Sequence, residues 1–156
     1  MPLPSAISDV SATVNGVPAP LYYVSPGQVN LQIPPQLVAG PALVVISNNG
    51  QSASASITLA EAAPGIFTNA AGAPVPSTAA KAGDIITLYV TGTASQSVSV
   101  TVGGLPAEVA YAATPPGLQG VVQVNYQVPP QAAAGAQPVV VTAGGIASPP
   151  ATLLVQ

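Results

Sequence analysis

The stretch Val10–Ala19, with the sequence VSATVNGVPA, decides the fold because it occurs twice in the chain. It returns as VSVTVGGLPA over Val98–Ala107, an offset of 88 residues. In both copies, Val alternating with small residues leads into an Asn-Gly or Gly-Gly pair. Gly and Asn adopt positive φ at little cost, so such pairs are typical of two-residue β-hairpin turns. The sequence therefore predicts a hairpin in each copy.

The repeat continues beyond this hairpin with a changed offset. The segment Gln28–Gln36 (QVNLQIPPQ) returns as QVNYQVPPQ over Gln123–Gln131, now 95 residues later. The difference of seven residues predicts an insertion in the second copy, in or near residues 114–120. Self-similarity of this kind is the signature of a tandem repeat.

Each copy has the pattern of β structure. No apolar period of 3.6 residues is sustained, and 19 prolines and 15 glycines interrupt short runs rich in Val, Ile, Thr and Tyr. Frequent turns between short strands are typical of a β-sandwich. We predict an all-β chain of two tandem immunoglobulin-like β-sandwich modules, residues 1–61 and 84–156, joined by an Ala/Pro/Gly linker at residues 62–83.

The two modules are predicted to differ at their first strand. Gly83–Gly92 (GDIITLYVTG) has the composition of a strand and opens the second module. Moving back 88 residues places its counterpart before or at Met1–Pro2. The first module is therefore expected to lack its opening strand, which leaves an unpaired sheet edge and an uncovered core face.

Four segments carry a resemblance to a known family: VNGVPAPLYYVSPGQVNLQIP, AAPGIFT, GDIITLYVTG and the second-copy run ending QVNYQVP. Together they resemble the Solibacter-type uncharacterised C-terminal domain, and the likeness covers nearly all of the chain. That family is found at the ends of large secreted bacterial proteins and has IPT/TIG-type immunoglobulin-like modules. The resemblance implies secretion and a β-sandwich, and it supplies no catalytic residue.

The charge content excludes several classes of partner. Only five residues carry charge, and the net charge is −3 with a single Lys and no Arg. Such a chain cannot neutralise a row of phosphates, so we predict no nucleic-acid partner. No apolar run approaches the ~18 residues of a membrane-spanning helix.

The side chains that most often carry catalysis are missing or scattered. The chain has no His and no Cys, which removes the usual bases, thiol nucleophiles and zinc ligands. Lys81 lies in an Ala/Gly segment without a supporting motif, and the acidic residues are spread along the chain: Asp9, Glu61, Asp84 and Glu108. A carboxylate pair for glycoside hydrolysis and a weak Ca²⁺ site between the modules are the alternatives. We predict no catalytic, cofactor-binding or metal-binding residue, and no enzyme.

Five tyrosines and two polar ladders offer one further alternative. Tyr22, Tyr23, Tyr89, Tyr111 and Tyr126 could form a sugar-binding platform, but we expect most of them to be core or cross-strand residues. Gln and Asn alternate with apolar residues in Gln28–Gln32 and Gln123–Gln127, which predicts a polar ladder on one face of a sheet.

These observations lead to three functional hypotheses. The first is a non-enzymatic extracellular or cell-surface structural protein that binds further copies of itself, into filaments, by strand addition between subunits. The second is a passive stalk or adhesion module at the C-terminus of a larger secreted protein. The third is a carbohydrate-binding module that contacts cell-surface or matrix glycans.

Overall fold

The computed structural model describes residues 3–94 and 96–156, and it divides the chain into two compact units. The first unit is Met1–Glu61 and the second is Ala62–Gln156. Strands, turns and irregular segments make up the described residues, and none of them belongs to a helix long and apolar enough to cross a membrane.

The first unit has, in its described part, two sheets of unequal size. One sheet has the order β1-β2-β6-β7, with β3 also paired to β2, and the other contains only β4 and β5. The strands are β1 (Ala6–Ile7), β2 (Val10–Val14), β3 (Val17–Pro18), β4 (Leu21–Ser25), β5 (Gln28–Leu31), β6 (Gly40–Asn48) and β7 (Gln51–Leu59).

The second unit has two larger sheets. One has the order β13-β14-β10-β8 and the other the order β12-β11-β15-β17-β9, with β16 also paired to β15. The strands are β8 (Gly65–Ile66), β9 (Ala79–Ala80), β10 (Ile85–Thr91), β11 (Val98–Val102), β12 (Leu105–Ala107), β13 (Val109–Ala113), β14 (Val121–Gln127), β15 (Gly135–Ala143), β16 (Ile146–Ala147) and β17 (Ala151–Val155).

The predicted turn pairs form hairpins with positive φ at both central residues. Asn15 and Gly16 have φ of 49° and 76°, and they join β2 to β3. Gly103 and Gly104, at 59° and 80°, join β11 to β12 in the same way. This is the type I′ geometry, whose twist matches that of the flanking strands.

The repeat in sequence is a repeat in structure. Strands β2 to β6 of the first unit correspond to β11 to β15 of the second, in the same order. Residues 114–120 separate β13 from β14, whereas residues 26–27 separate β4 from β5, so the inserted residues lengthen one hairpin loop. The predicted fold class is confirmed: the chain consists of tandem immunoglobulin-like β-sandwich modules.

Residues 62–83, which the sequence analysis treats as a linker, belong to the second unit. The short strand β8 pairs with β10, and β9 pairs in parallel with β17. Ala62 and Ala80 are buried. Each proline in this segment favours extended backbone at the residue before it, and the alanines have small side chains, so the segment fits along the sheet edges.

Candidate functional site: the open face of the first unit

Strand β10 completes the core of the second unit. It runs antiparallel to β14, with Leu88 opposite Val124 and Ile86 opposite Tyr126. Leu88 and Val90 are fully buried within the main apolar cluster of this unit. One strand therefore satisfies the backbone of β14 and covers the facing sheet.

In the described part of the first unit, no strand takes the position of β10. Strand β5 corresponds to β14, and it pairs only with β4 among the described residues. Its other side presents backbone N–H and C=O groups as a free sheet edge. The free β5 edge in the described part of the chain agrees with the unpaired sheet edge that the repeat offset predicts.

The apolar residues of β7 show the consequence of this difference. Ala55, Ile57 and Leu59 lie opposite Val44, Ala42 and Gly40 of β6, on the inner face of their sheet. The corresponding residues of β17 are Ala151, Leu153 and Val155, and each is at most 2% exposed. In the first unit, by contrast, Ala55 and Ile57 are exposed, with Ile57 at 36%, and Leu59 is only partly buried.

Residues of β5 and β6 are likewise less buried than their counterparts in the second unit. Leu31 and Ile46 are partly buried and pack at the margin of the first core. Their counterparts Tyr126 and Val141 are 0% exposed. The buried cluster of the first unit is accordingly small, and half of its six described members are alanines: Val10, Ala12, Val14, Ala19, Leu21 and Ala42.

The nine-residue strand β7 is a second free edge. It pairs only with β6 among the described residues, whereas the corresponding strand β17 is covered by β9. Its sequence, QSASASITL, contains no charge and no proline. Charged side chains and prolines on an edge strand usually prevent another strand from pairing with it, so the β7 edge is open to strand addition.

We define the open face as the β5 edge together with the inner-face side chains of β6 and β7. It combines exposed aliphatic side chains with unpaired backbone groups. An extended segment with an apolar residue at every second position would satisfy both, as β10 does in the second unit.

The ionisable residues do not assemble into a reactive site in the described part of the chain. No group of three or more His, Cys, Asp or Glu side chains lies close enough together to hold a metal ion there. The backbone amide of Lys81 donates to Oδ2 of Asp84 at 2.9 Å. Asp9 lies in the turn between β1 and β2 with φ of 63°.

Most of the five tyrosines are core or cross-strand residues, as predicted. Tyr126 alone among the five is fully buried, while Tyr23 and Tyr111 are 49% and 48% exposed. These two are nevertheless cross-strand residues, opposite Asn30 and Asn125 in the same register of the two units. Each follows a β-bulge that turns the side chain to the outer face.

The chain resembles several solved structures at low TM-scores and low sequence identity. No protein-family model and no curated protein matches the sequence. An SGBP-B from a xyloglucan utilization locus of Bacteroides uniformis has a TM-score of 0.44 at 17% identity over 76% of this chain and 30% of its own. An SGBP-B from the mixed-linkage glucan utilization locus of Bacteroides ovatus, in complex with a heptasaccharide, has a TM-score of 0.44 at 16% identity over 94% of this chain and 36% of its own.

A chimeric titin Z1Z2 has a TM-score of 0.33 at 20% identity over 94% of this chain and 80% of its own. The chain spans about a third of the length of the two SGBP-B structures. All three TM-scores are below 0.5, so these likenesses carry no argument about function.

Proposed function

We propose that this chain is a non-enzymatic structural protein of the cell exterior that assembles by strand addition between copies. The observation that supports this most directly is the contrast between Leu31, Ile57 and Leu59 and their fully enclosed counterparts in the second unit. Burying an aliphatic side chain of this size contributes about 1.5–3 kcal/mol. These three side chains are already partly covered, so a strand from another copy would gain a part of this free energy from each of them.

Charge presents little barrier to such an assembly. The whole chain carries five charged residues, so long-range repulsion between copies is small. A contact in which the open face of one copy accepts a segment of the next is heterologous. It continues into a filament unless its rotation closes a ring.

The extracellular location is part of the same proposal. It is supported by the resemblance to domains of secreted bacterial proteins and by a composition poor in charge and free of Cys. The absence of His and Cys from the sequence favours a structural role over catalysis.

A chimera that closes the first unit tests the proposal. Residues 83–97, which contain β10 and its connection to β11, replace residues 1–9, so that the supplied strand enters β2 as β10 enters β11. The wild-type chain is expected to form filaments or large regular oligomers at high concentration, seen by negative-stain electron microscopy and light scattering. The chimera is expected to remain monomeric, because its own strand fills the open face.

A second chimera is the matched control. In the supplied strand, the residues derived from Leu88 and Val90 are replaced by Asp, so the strand cannot enter an apolar core. This variant is expected to assemble as the wild type does. A wild-type chain of about 15.1 kDa at every concentration would overturn the proposal and favour a passive stalk module. So would a first chimera that assembles unchanged.

A further inference from the structure

The outer face of the smaller sheet of the second unit carries polar and aromatic side chains in a regular arrangement. One row crosses three strands and consists of Tyr111, Asn125 and Thr87. The next row contains Gln123 opposite Tyr89. Opposed residues of an antiparallel pair share a face, so these five side chains form one surface.

Phe67 extends this surface beyond Tyr89. Its backbone amide donates to the carbonyl of Tyr89 at 2.9 Å, which continues the register that pairs Ile66 with Val90. Phe67 is 43% exposed although it is the only Phe in the chain. Neighbouring strands lie about 4.8 Å apart, so the surface from Tyr111 to Phe67 spans three spacings, roughly 14 Å.

The polar centre of the surface is held in place by hydrogen bonds. Thr87 Oγ1 and Gln123 Nε2 both donate to Asn125 Oδ1, each at 3.0 Å. A fixed amide loses little conformational freedom when it binds a ligand. The first unit repeats the arrangement, because Gln28 Nε2 donates to Asn30 Oδ1 at 2.6 Å beside Tyr23.

The chemistry of this surface fits an uncharged, hydroxyl-rich ligand. Amide groups offer donors and acceptors together, as hydroxyl groups require, and aromatic rings offer flat apolar faces. The charged side chains nearest in sequence are Asp84 and Glu108, which precede β10 and β13 at one end of the sheet. The chain has no Arg that could bind an anionic group, so we expect the ligand to be neutral.

We propose that this surface, defined by Tyr111, Asn125, Gln123, Tyr89 and Phe67, binds neutral oligosaccharides. The aromatic rings stack on the C–H faces of sugar rings, and the Asn125 and Gln123 amides bond to hydroxyl groups between them. The surface lies wholly within the second unit, so this binding is independent of strand addition at the first.

Calorimetric titration of the full-length chain tests the proposal. The probes are three neutral hexasaccharides, cellohexaose, xylohexaose and mannohexaose, with a hyaluronan hexasaccharide as an anionic comparison. At least one neutral probe is expected to bind with a Kd below ~1 mM, and the hyaluronan probe is expected not to bind. Absence of binding by all three neutral probes would overturn the proposal.

Two tyrosine variants locate the site. Tyr111→Ala removes an exposed ring and is expected to weaken binding at least about tenfold, roughly the effect of losing one anchoring aromatic. Tyr23→Ala removes the corresponding ring of the first unit, whose described part has no strand at the position of β10, and is expected to bind as the wild type does. Equal affinity of the wild type and Tyr111→Ala would refute the site. So would a Tyr111→Ala variant that loses assembly while keeping glycan affinity, which would assign this face to contact between copies.

Discussion

Tyr126 occupies the centre of the second core, at the position that Leu31 holds in the first unit. Its side chain is 0% exposed, and its hydroxyl finds no hydrogen-bond partner among the described residues. A buried hydroxyl without a partner loses its hydration and gains nothing in return. The sequence predicts that most of the five tyrosines are core or cross-strand residues, but it does not show which one is enclosed, because enclosure depends on the neighbouring strand β10.

Tyr126→Phe is therefore expected to stabilise the second unit. Removal of the hydroxyl should raise the free energy of unfolding by about 1 kcal/mol at neutral pH, since the ring still fills the core. Urea denaturation followed by circular dichroism measures this. Tyr111→Phe, at a half-exposed position, is the control and should change stability by less than about 0.5 kcal/mol. A destabilised Tyr126→Phe variant would mean that the hydroxyl has a favourable contact.

The same residue predicts a dependence on alkaline pH. Burial raises the pKa of the Tyr126 hydroxyl above its ordinary value of 10.0. The folded state therefore holds its proton at a pH where the unfolded state releases it. The contribution of this group to the free energy of unfolding is fully present below pH 10, and it falls by about 1.4 kcal/mol per pH unit above pH 10. Unfolding curves at pH 8 and above 10 should show this loss in the wild type, and a loss of equal size in Tyr126→Phe would contradict the assignment.

At the level of strands, the sequence predicts a large part of the structure. The Asn-Gly and Gly-Gly turns, the tandem repeat and the longer β13–β14 loop follow from local turn chemistry and from internal comparison. The lack of a strand at the position of β10 in the described part of the first unit also agrees with the repeat. The repeat predicts an uncovered core face as well, but it does not show that Ile57 lies on it, because QSASASITL has an ordinary strand pattern.

Two substitutions on neighbouring strands separate the inner face from the outer face. Ile57 lies on the inner face of its sheet and is 36% exposed, whereas Leu43 lies on the outer face and is 45% exposed. Ile57→Asp is expected to reduce assembly strongly, because an inserted strand would bury its carboxylate without a partner. Leu43→Asp adds the same charge and is expected to assemble normally. Sedimentation measures the assembly of both variants. An equal loss of assembly in both would mean that the added charge, rather than the open face, is responsible.

For the whole molecule, scarcity of charge sets the response to solvent. The chain has five charged residues in 156, and the proposed assembly is driven by apolar burial and backbone pairing. Screening of charges by salt should therefore change the extent of assembly little. We expect light scattering of the assembled protein to change little between about 0.05 and about 0.5 M NaCl, and to fall on cooling because hydrophobic association weakens. Dissociation by salt alone would show that charge pairs hold the copies together.

The single Lys has a consequence for digestion by proteases. With no Arg in the chain, Lys81 is the only position at which an enzyme of trypsin-like specificity can cut. It is exposed and lies between β9 and β10. Cleavage there leaves β8 and β9 on one fragment and their partners β10 and β17 on the other. The hydrogen bonds between these strands keep the two fragments together, so the cleavage becomes detectable as a change in size only when the protein is denatured.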